Sequence, residues 1–282
     1  MTHTRNKQKS IKKHMRMLAI LLIPVVALIL GAAAPELWAG NHDDDDDDEE
    51  IPFDVAELFF ELNNTDGDLG IHALVDGDAW KYLEIEDTRD RKMLNIIVRG
   101  RLRRQGLTEL FFESAEPTFD ELSPKKFFRR FPEGEYDIEG ETIEGEERES
   151  EVWLSHVLPA PPVPTVNGMP APKDCDADDL PVVIAGEPVI IAWPLVSESH
   201  PTIGKSGPID VVNYEVVVEI DETPWKTSTI LPPDATSFEV PQEILALGLE
   251  EGGEIKFEVL VREASYNQTA VESCFEIVIV ED

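Results

Sequence analysis

Cysteine, histidine and catalytic motifs are scarce in this chain of 282 residues, which has two cysteines and six histidines. His72, His156 and His200 are scattered and lack the short His/Cys spacing of a zinc site, so the sequence predicts none. Ser155 and His156 are adjacent on a predicted strand, and their side chains therefore face opposite ways. The Gly-x-Ser-x-Gly, phosphate-loop and His-Glu-x-x-His patterns are absent. No enzymatic activity is predicted.

Basic residues are also few, because 24 Lys and Arg stand against 58 Asp and Glu, for a net charge of −34. Phosphate backbones and anionic lipids repel such a chain, which argues against nucleic-acid binding and against peripheral membrane binding. Metal cations and basic partners remain compatible with it. A solvated acidic surface that keeps an exported protein soluble explains the same excess of acids.

Long apolar runs are limited to one, residues 17–34, which follows a basic stretch and predicts an export signal. Ala32 and Ala34 supply the small residues of a cleavage site, but Pro35 follows directly and hinders cutting there. The run is also long enough to remain in a bilayer as an anchor. Residues 1–39 are therefore predicted to be a signal peptide or an N-terminal membrane anchor. The protein is expected to be periplasmic, cell-surface or secreted, with membrane contact only through a retained anchor.

The composition of the part predicted to be exported divides it into four segments. Residues 40–50 are nearly all acidic and predict an extended linker, because like charges repel. Residues 51–158 carry short apolar runs broken by Gly and Asp, which predict a β-rich domain with one short amphipathic helix at 119–131. The proline-rich stretch 159–164 predicts a stiff hinge. A second β domain is expected over 165–282.

The strands of the first domain are predicted from these runs, with hairpin turns at two Asp-Gly pairs, Asp66-Gly67 and Asp76-Gly77. The predicted strands are residues 55–62, 69–75, 80–85, 94–98, 108–113, 136–138 and 152–158.

In the second domain apolar and polar residues alternate, as they do in half-buried strands of an antiparallel sandwich. Trp193-Pro194, Tyr214 in its Asn-Tyr-Glu-Val-Val-Val-Glu context, and the stretches 231–241 and 255–264 resemble the fibronectin type III family. The resemblance covers about residues 160–282 and implies an antiparallel β-sandwich. The fold class expected for the whole chain is therefore mainly β. Function does not follow, because this fold hosts spacers, adhesins and ligand binders alike.

Cys175 and Cys274 are predicted to form one disulfide, since an exported chain with two cysteines meets an oxidising environment. The fibronectin resemblance implies the same pairing, because it places Cys274 on the last strand and Cys175 near the first. Two buried free thiols are the alternative.

Oxygen-bearing residues at alternate positions, Asn64, Asp66 and Asp68, are similar to the start of a calcium loop. Leu69 stands where an EF-hand has Gly and Val75 where it has Glu, so this is not an EF-hand. Ordinary Asp-Gly turn chemistry explains the same residues. Calcium is the one cofactor that the sequence suggests.

Arg99, Arg101 and Arg103 form a basic patch in an otherwise acidic chain. On a continuing strand they would share one side and could bind carboxylates or sulfated sugars. Pairing with neighbouring acids is the alternative.

Two functions are compatible with these features. The first is a non-catalytic, exported protein that acts in envelope or extracellular binding, adhesion or scaffolding through protein or glycan contacts. The second is an accessory carbohydrate-binding module, calcium-stabilised if the Asn64 site is real, that assists a separate enzyme.

Overall fold

A computed structural model describes residues 51–173, 175, 180–221 and 223–280, which all belong to one compact unit. The predicted export signal and the acidic linker lie outside the described residues. Over this part the chain is mainly β, which confirms the predicted fold class. None of the helices in these ranges is both long and apolar enough to span a membrane.

The first β region follows the alternation of its sequence. In the first strand, Leu58, Phe60 and Leu62 are buried in the core, while Phe59 and Glu61 lie on the opposite face. The elements of this region are β1 (Val55–Asn63), β2 (Asp68–Glu86), β3 (Lys92–Ile97), α1 (Leu102–Gln105), β4 (Leu107–Glu113), α2 (Pro124–Arg130), β5 (Gly134–Thr142) and β6 (Glu147–Leu154).

The hairpin turn predicted at Asp76-Gly77 is wrong, because β2 runs through both residues as one strand. Gly77 does not adopt the positive φ that a type I′ turn requires. The register of β2 instead shifts between Asp76 and Trp80: the pairing with β1 ends at Asp76, and the pairing with β5 begins at Trp80. A hairpin turn does form at Asp66-Gly67, where Gly67 has a φ of 69°, but Asp66 has no positive φ, so the turn is not of type I′.

The helix predicted at 119–131 is shorter than expected and begins at Pro124. Proline suits the first helical turn, where its missing N–H leaves no hydrogen bond unmade. The chain before it is held in extended contacts instead, since Thr118 bridges Asp68 and the Phe119 N–H donates to the Gly67 carbonyl.

The second β region carries the residues that resemble fibronectin type III domains. Trp193 and Tyr214 are buried with ring centroids 5.4 Å apart, and the Tyr214 hydroxyl accepts a hydrogen bond from the Val196 N–H. The elements are β7 (Thr165–Val166), β8 (Met169–Pro170), β9 (Val182–Ile184), β10 (Ile190–Ala192), β11 (Val211–Glu219), β12 (Lys226–Leu231), β13 (Ser237–Glu239), α3 (Gln242–Glu250), β14 (Glu254–Glu263) and β15 (Gln268–Val278).

Two sheets contain these strands within the described residues. The small sheet has the order β13-β10-β7-β8, and the large one has the order β12-β11-β14-β15-β1-β2-β5-β6, with β3, β4 and β9 at its sides. The small sheet and strands β11, β12, β14 and β15 form the predicted sandwich, with a core that includes Trp193 and Phe257. The large sheet continues into the first region through a parallel pairing of β1 with β15, where Glu61 lies opposite Gln268.

Asn267 reinforces this junction. Its side chain is fully buried, accepts a hydrogen bond from the Phe60 N–H at 2.8 Å, and donates to the carbonyls of Ser155 and Val157 at 2.9 and 2.8 Å. The chain from 159 to 164 runs close by, and the Pro159 carbonyl accepts a hydrogen bond from the Thr269 hydroxyl. The domain boundaries at 158 and 165 stay a prediction from composition.

Cys175 and Cys274 form the predicted disulfide, with Cα atoms 5.5 Å apart. The bond joins the segment between β8 and β9 to the last strand of the sandwich and closes a loop with a sequence separation of 99.

Asn267→Ala should lower the free energy of unfolding by about 2 to 4 kcal/mol, because it leaves a buried N–H and two buried carbonyls without their partner. Urea denaturation measures the change, and Asn213→Ala on β11 serves as the partly exposed control. Equal stabilities of the two variants would contradict the prediction.

Denatured, non-reduced protein should contain no titratable thiol, and reduction should destabilise the fold. The chain-entropy model gives roughly 4 to 5 kcal/mol for a loop of this length. A thiol assay in denaturant and thermal unfolding with and without reductant check both statements. Two free thiols would show that the bond does not form.

Candidate functional site

The predicted basic patch lies beside a surface cavity of about 370 Å³. Strand β3 ends at Ile97 and the chain turns into α1, so the expected continuation of the strand through the arginines is wrong. Arg99 and Arg103 reach the cavity, whereas Arg101 does not line it. We call this surface the arginine pocket; its lining is Lys81, Tyr82, Ile97, Val98, Arg99, Arg103 and Glu141.

The two arginines of the pocket have no ion-pair partner among the residues that the structure describes. Lys81 pairs with Glu141 at 2.5 Å, but neither Arg99 nor Arg103 forms an ion pair with any described residue. Ile97 and Leu102 are exposed beside them, at 53% and 56%. The pocket therefore offers two guanidinium groups next to apolar surface and a tyrosine, a combination that suits a planar anionic group.

The three residues of the predicted calcium site have different surroundings. Asn64 places its side-chain oxygen 3.2 Å from His200 Nε2, and Asp66 is exposed. Asp68 is buried at 1% exposure, and its Oδ1 has no hydrogen-bond partner in the part of the chain that the structure describes. Calcium binding by these three stays a prediction.

A second group of polar residues lies on the face of the large sheet opposite the core. Glu61 is on β1, His72 on β2, and Glu116 in the loop that follows β4. One ligand atom from each lies within 4.8 Å of the others, and among the described residues no further group of three His, Cys, Asp or Glu side chains is so close. His72 Nε2 is 3.1 Å from Glu116 Oε1, and Nδ1 is 4.0 Å from Glu61 Oε2. We call these residues the histidine–carboxylate cluster.

Backbone contacts bring Glu116 to this position. The Ser114 N–H donates to the Ile71 carbonyl, and the Ser114 hydroxyl accepts a hydrogen bond from the Ile71 N–H, both at 3.0 Å. Gly70 then leaves the space that the carboxylate occupies, since a Cβ there would lie 2.2 Å from Glu116 Oε1. The glycine therefore allows the Glu116 side chain to lie this close to β2.

Burial controls the electrostatics of the cluster. It raises the pKa of Glu61 to about 7, although His72 acts in the opposite direction. It raises the pKa of Glu116 to about 7 as well, with a further contribution from Glu272. Burial lowers the pKa of His72, and so favours the neutral imidazole.

Further acids extend the charged region on both sides. Burial, followed by the charge of Glu116, raises the pKa of Asp68 to about 7. Glu258 and Glu272 lie opposite each other on β14 and β15, and burial raises the pKa of both. Carboxylates that resist ionisation are thus concentrated where β1 joins β15.

Sequence reasoning missed this cluster because its members are distant in the chain. The spacing of Glu61 and His72 around the Asp66-Gly67 turn was an available signal. With Asn63 opposite Asp68, Glu61 pairs with Gly70 and Phe59 with His72, which makes Glu61 and His72 diagonal neighbours on one face. Glu116 comes from an irregular loop and has no such signal.

No protein-family model and no curated protein matches the chain. Solved structures that resemble it include the FN1–FN3 domains of chicken CNTN1, with a TM-score of 0.29, 9% identity, and coverage of 81% of this chain and 69% of that one. A two-domain fibronectin type III segment of chicken tenascin has a TM-score of 0.26 and 8% identity over 79% of this chain and 97% of that one. A Ca²⁺-stabilized, ice-binding adhesin of an Antarctic bacterium has a TM-score of 0.26 and 11% identity over 82% and 51%.

The neighbours thus include fibronectin type III structures, the family that the second β region resembles. Likeness at this distance carries no argument about function.

In metal-free buffer, the contribution of the buried acids to stability should fall as the pH rises. Their folded pKa values lie above the unfolded ones, so the contribution is complete below about pH 4 and is lost as the pH passes 7. Asp68→Asn should therefore stabilise the protein by about 1 to 3 kcal/mol at about pH 8 and leave it nearly unchanged at about pH 3.5.

Urea denaturation at several pH values, with a chelator present, measures this difference. Asp234→Asn in the exposed turn between β12 and β13 is the matched control and should leave the pH dependence unaltered. The same pH dependence for Asp68→Asn and wild type would contradict the prediction.

Proposed function

We propose that this chain is an exported, non-catalytic binding protein that acts in adhesion or scaffolding outside the cytoplasm. The arginine pocket is its contact for an anionic group on a partner protein or glycan. The observation that carries the proposal is that Arg99 and Arg103 remain without an acidic partner among the described residues of a chain with 58 acids.

The charge of the whole chain makes this arrangement selective. A net charge of −34 repels polyanions at a distance, so an anion binds only where local cations outweigh that field. Two guanidinium groups on one cavity supply paired donors for a carboxylate or sulfate. The exposed Ile97 and Leu102 add apolar contact area beside them, as protein interfaces commonly do.

Export is consistent with the disulfide between Cys175 and Cys274, because such bonds persist in oxidising compartments. The apolar run at 17–34 supplies the signal for it. Whether that run is cleaved or kept as an anchor decides if the protein is secreted or held at a membrane.

The alternative function is an accessory carbohydrate-binding module. Exposed tryptophans favour it, since Trp153 on β6 is 61% exposed and Trp225 is 49% exposed. Aromatic rings of this kind could stack on sugar rings through their apolar faces. In that case binding would extend to neutral glycans and would depend on Trp153 rather than on the arginines.

Replacing both pocket arginines, Arg99→Ala with Arg103→Ala, should weaken binding to sulfated or uronic-acid oligosaccharides and to acidic peptides by about tenfold to a hundredfold. The reason is the loss of two charge-assisted donors. Immobilised glycans and a polyglutamate peptide serve as probes, and binding is measured at two salt concentrations.

The matched control replaces Arg129 and Arg130, two exposed arginines of α2, so that the change in net charge is the same. Equal binding by the two double variants would contradict the assignment of the pocket. Binding of neutral glycans that is lost only in Trp153→Ala would favour the carbohydrate module.

A further inference from the structure

His72 carries a buried nitrogen that no described residue satisfies. The residue is 1% exposed, and Nδ1 has no hydrogen-bond partner although it faces Glu61 Oε2 at 4.0 Å. That distance is too long for a direct hydrogen bond. Buried polar atoms are nearly always paired, so an unpaired imidazole nitrogen aimed at a carboxylate indicates a ligand that both can bind.

The other ring nitrogen is oriented as it is in metal-binding histidines. Nε2 is 3.1 Å from Glu116 Oε1, and a proton on Nε2 would be donated to that carboxylate. Metal-ligating histidines commonly hydrogen-bond a carboxylate through the nitrogen that does not hold the metal. With the proton on Nε2, the lone pair lies on Nδ1, toward Glu61.

The carboxylates around His72 also favour a cation beside its imidazole. Glu61 and Glu116 approach one imidazole on a face that also carries Glu258 and Glu272. A divalent cation would remove the mutual repulsion of these acids and offset the cost of burying them. An additional apolar or neutral ligand would leave that repulsion in place.

We propose that His72 Nδ1 and Glu61 bind a divalent transition-metal ion of the zinc class, and that Glu116 orients the imidazole through Nε2. Zinc accepts imidazole nitrogen together with carboxylate oxygen, whereas calcium takes oxygen ligands. The ion would connect β1 to β2, and so would stabilise the fold. This site is separate from the arginine pocket and from the predicted calcium residues, and it goes beyond the proposed binding function.

An ion can reach the cluster from solvent. Glu61 keeps 14% and Glu116 keeps 11% of the side-chain surface exposed, while His72 forms the closed end. Glu61 Oε2 lies 4.0 Å from His72 Nδ1, so a modest rotation of the Glu61 side chain would bring both ligand atoms onto one ion. The carboxylate of Glu116 is placed there by the absence of a side chain at Gly70.

The test uses the purified full-length chain, freed of metal by chelation and then titrated with ZnCl₂ in a calorimeter and in thermal unfolding. Wild type should take up one strongly bound Zn²⁺ and unfold at a higher temperature. His72→Gln should bind Zn²⁺ at least about a hundredfold more weakly, and Glu116→Gln and Gly70→Ala about tenfold more weakly.

His156→Gln is the matched control, because His156 is a partly buried histidine whose Nε2 contacts the Phe131 carbonyl rather than a carboxylate. The acidic tract at residues 43–50 is present in every variant. Weak binding of Zn²⁺ by that tract therefore cancels in the comparison of His72→Gln with wild type.

Gly70→Ala provides a second variant that still tests the site if His72→Gln does not fold. Gly70 has no positive φ, and the added methyl meets only the end of the flexible Glu116 side chain, so the strand should tolerate it. Circular dichroism checks its fold, and Co²⁺ absorption in the visible range, displaced by Zn²⁺, reports the ligands directly.

Three results would overturn the proposal: no saturable Zn²⁺ uptake by wild type, equal uptake by wild type and a folded His72→Gln, or Ca²⁺ competing on equal terms with Zn²⁺. These outcomes do not involve anion binding at the arginine pocket, so failure here and failure of the proposed function are distinguishable.

Discussion

The parallel pairing of β1 with β15 is the constraint on which the rest of the structure depends. It continues the sheet of the fibronectin-like sandwich into the first β region, and Asn267 fixes it by hydrogen bonds to backbone groups of Phe60, Ser155 and Val157. One face of this joint sheet packs on the two apolar cores, and the other carries Glu61, His72 and Gln268. A shift of one residue in this pairing would move each side chain of the shifted strand to the opposite face of the sheet. The register of the three residue pairs therefore determines which side chains lie in the apolar cores.

This architecture places charged side chains in two contrasting arrangements. On the joint sheet, acids are crowded together and partly withdrawn from water, which makes protons or a cation favourable there. At the arginine pocket, the reverse holds, because Arg99 and Arg103 face solvent and form no ion pair with a described residue. In a chain with 58 acids, both arrangements cost stability relative to simple pairing. Their presence away from the apolar cores is what distinguishes these two surfaces as functional candidates.

Much of the fold could be predicted from local pattern, and the site largely could not. Alternation in β11, β14 and β15 and the buried Trp193 indicated the sandwich, because period-two burial is a local property. The Asp76-Gly77 turn was mispredicted since the dipeptide suits a hairpin, while the strand in fact exchanges one partner for another at that point. The helical turn at Leu102–Gln105 likewise ended the expected strand of arginines. Glu116 reaches His72 only through tertiary contacts of Ser114 and Gly70, which no local pattern encodes.

The junction also has a consequence for the order of folding. Glu61 and Gln268 are 207 positions apart, so β1 is synthesised long before its partner strand. Contacts of such separation form late, because a long loop must close first. Until β15 arrives, the edge of β1 that does not pair with β2 has no partner strand. Pairing of β15 therefore closes an edge that would otherwise be open to other chains.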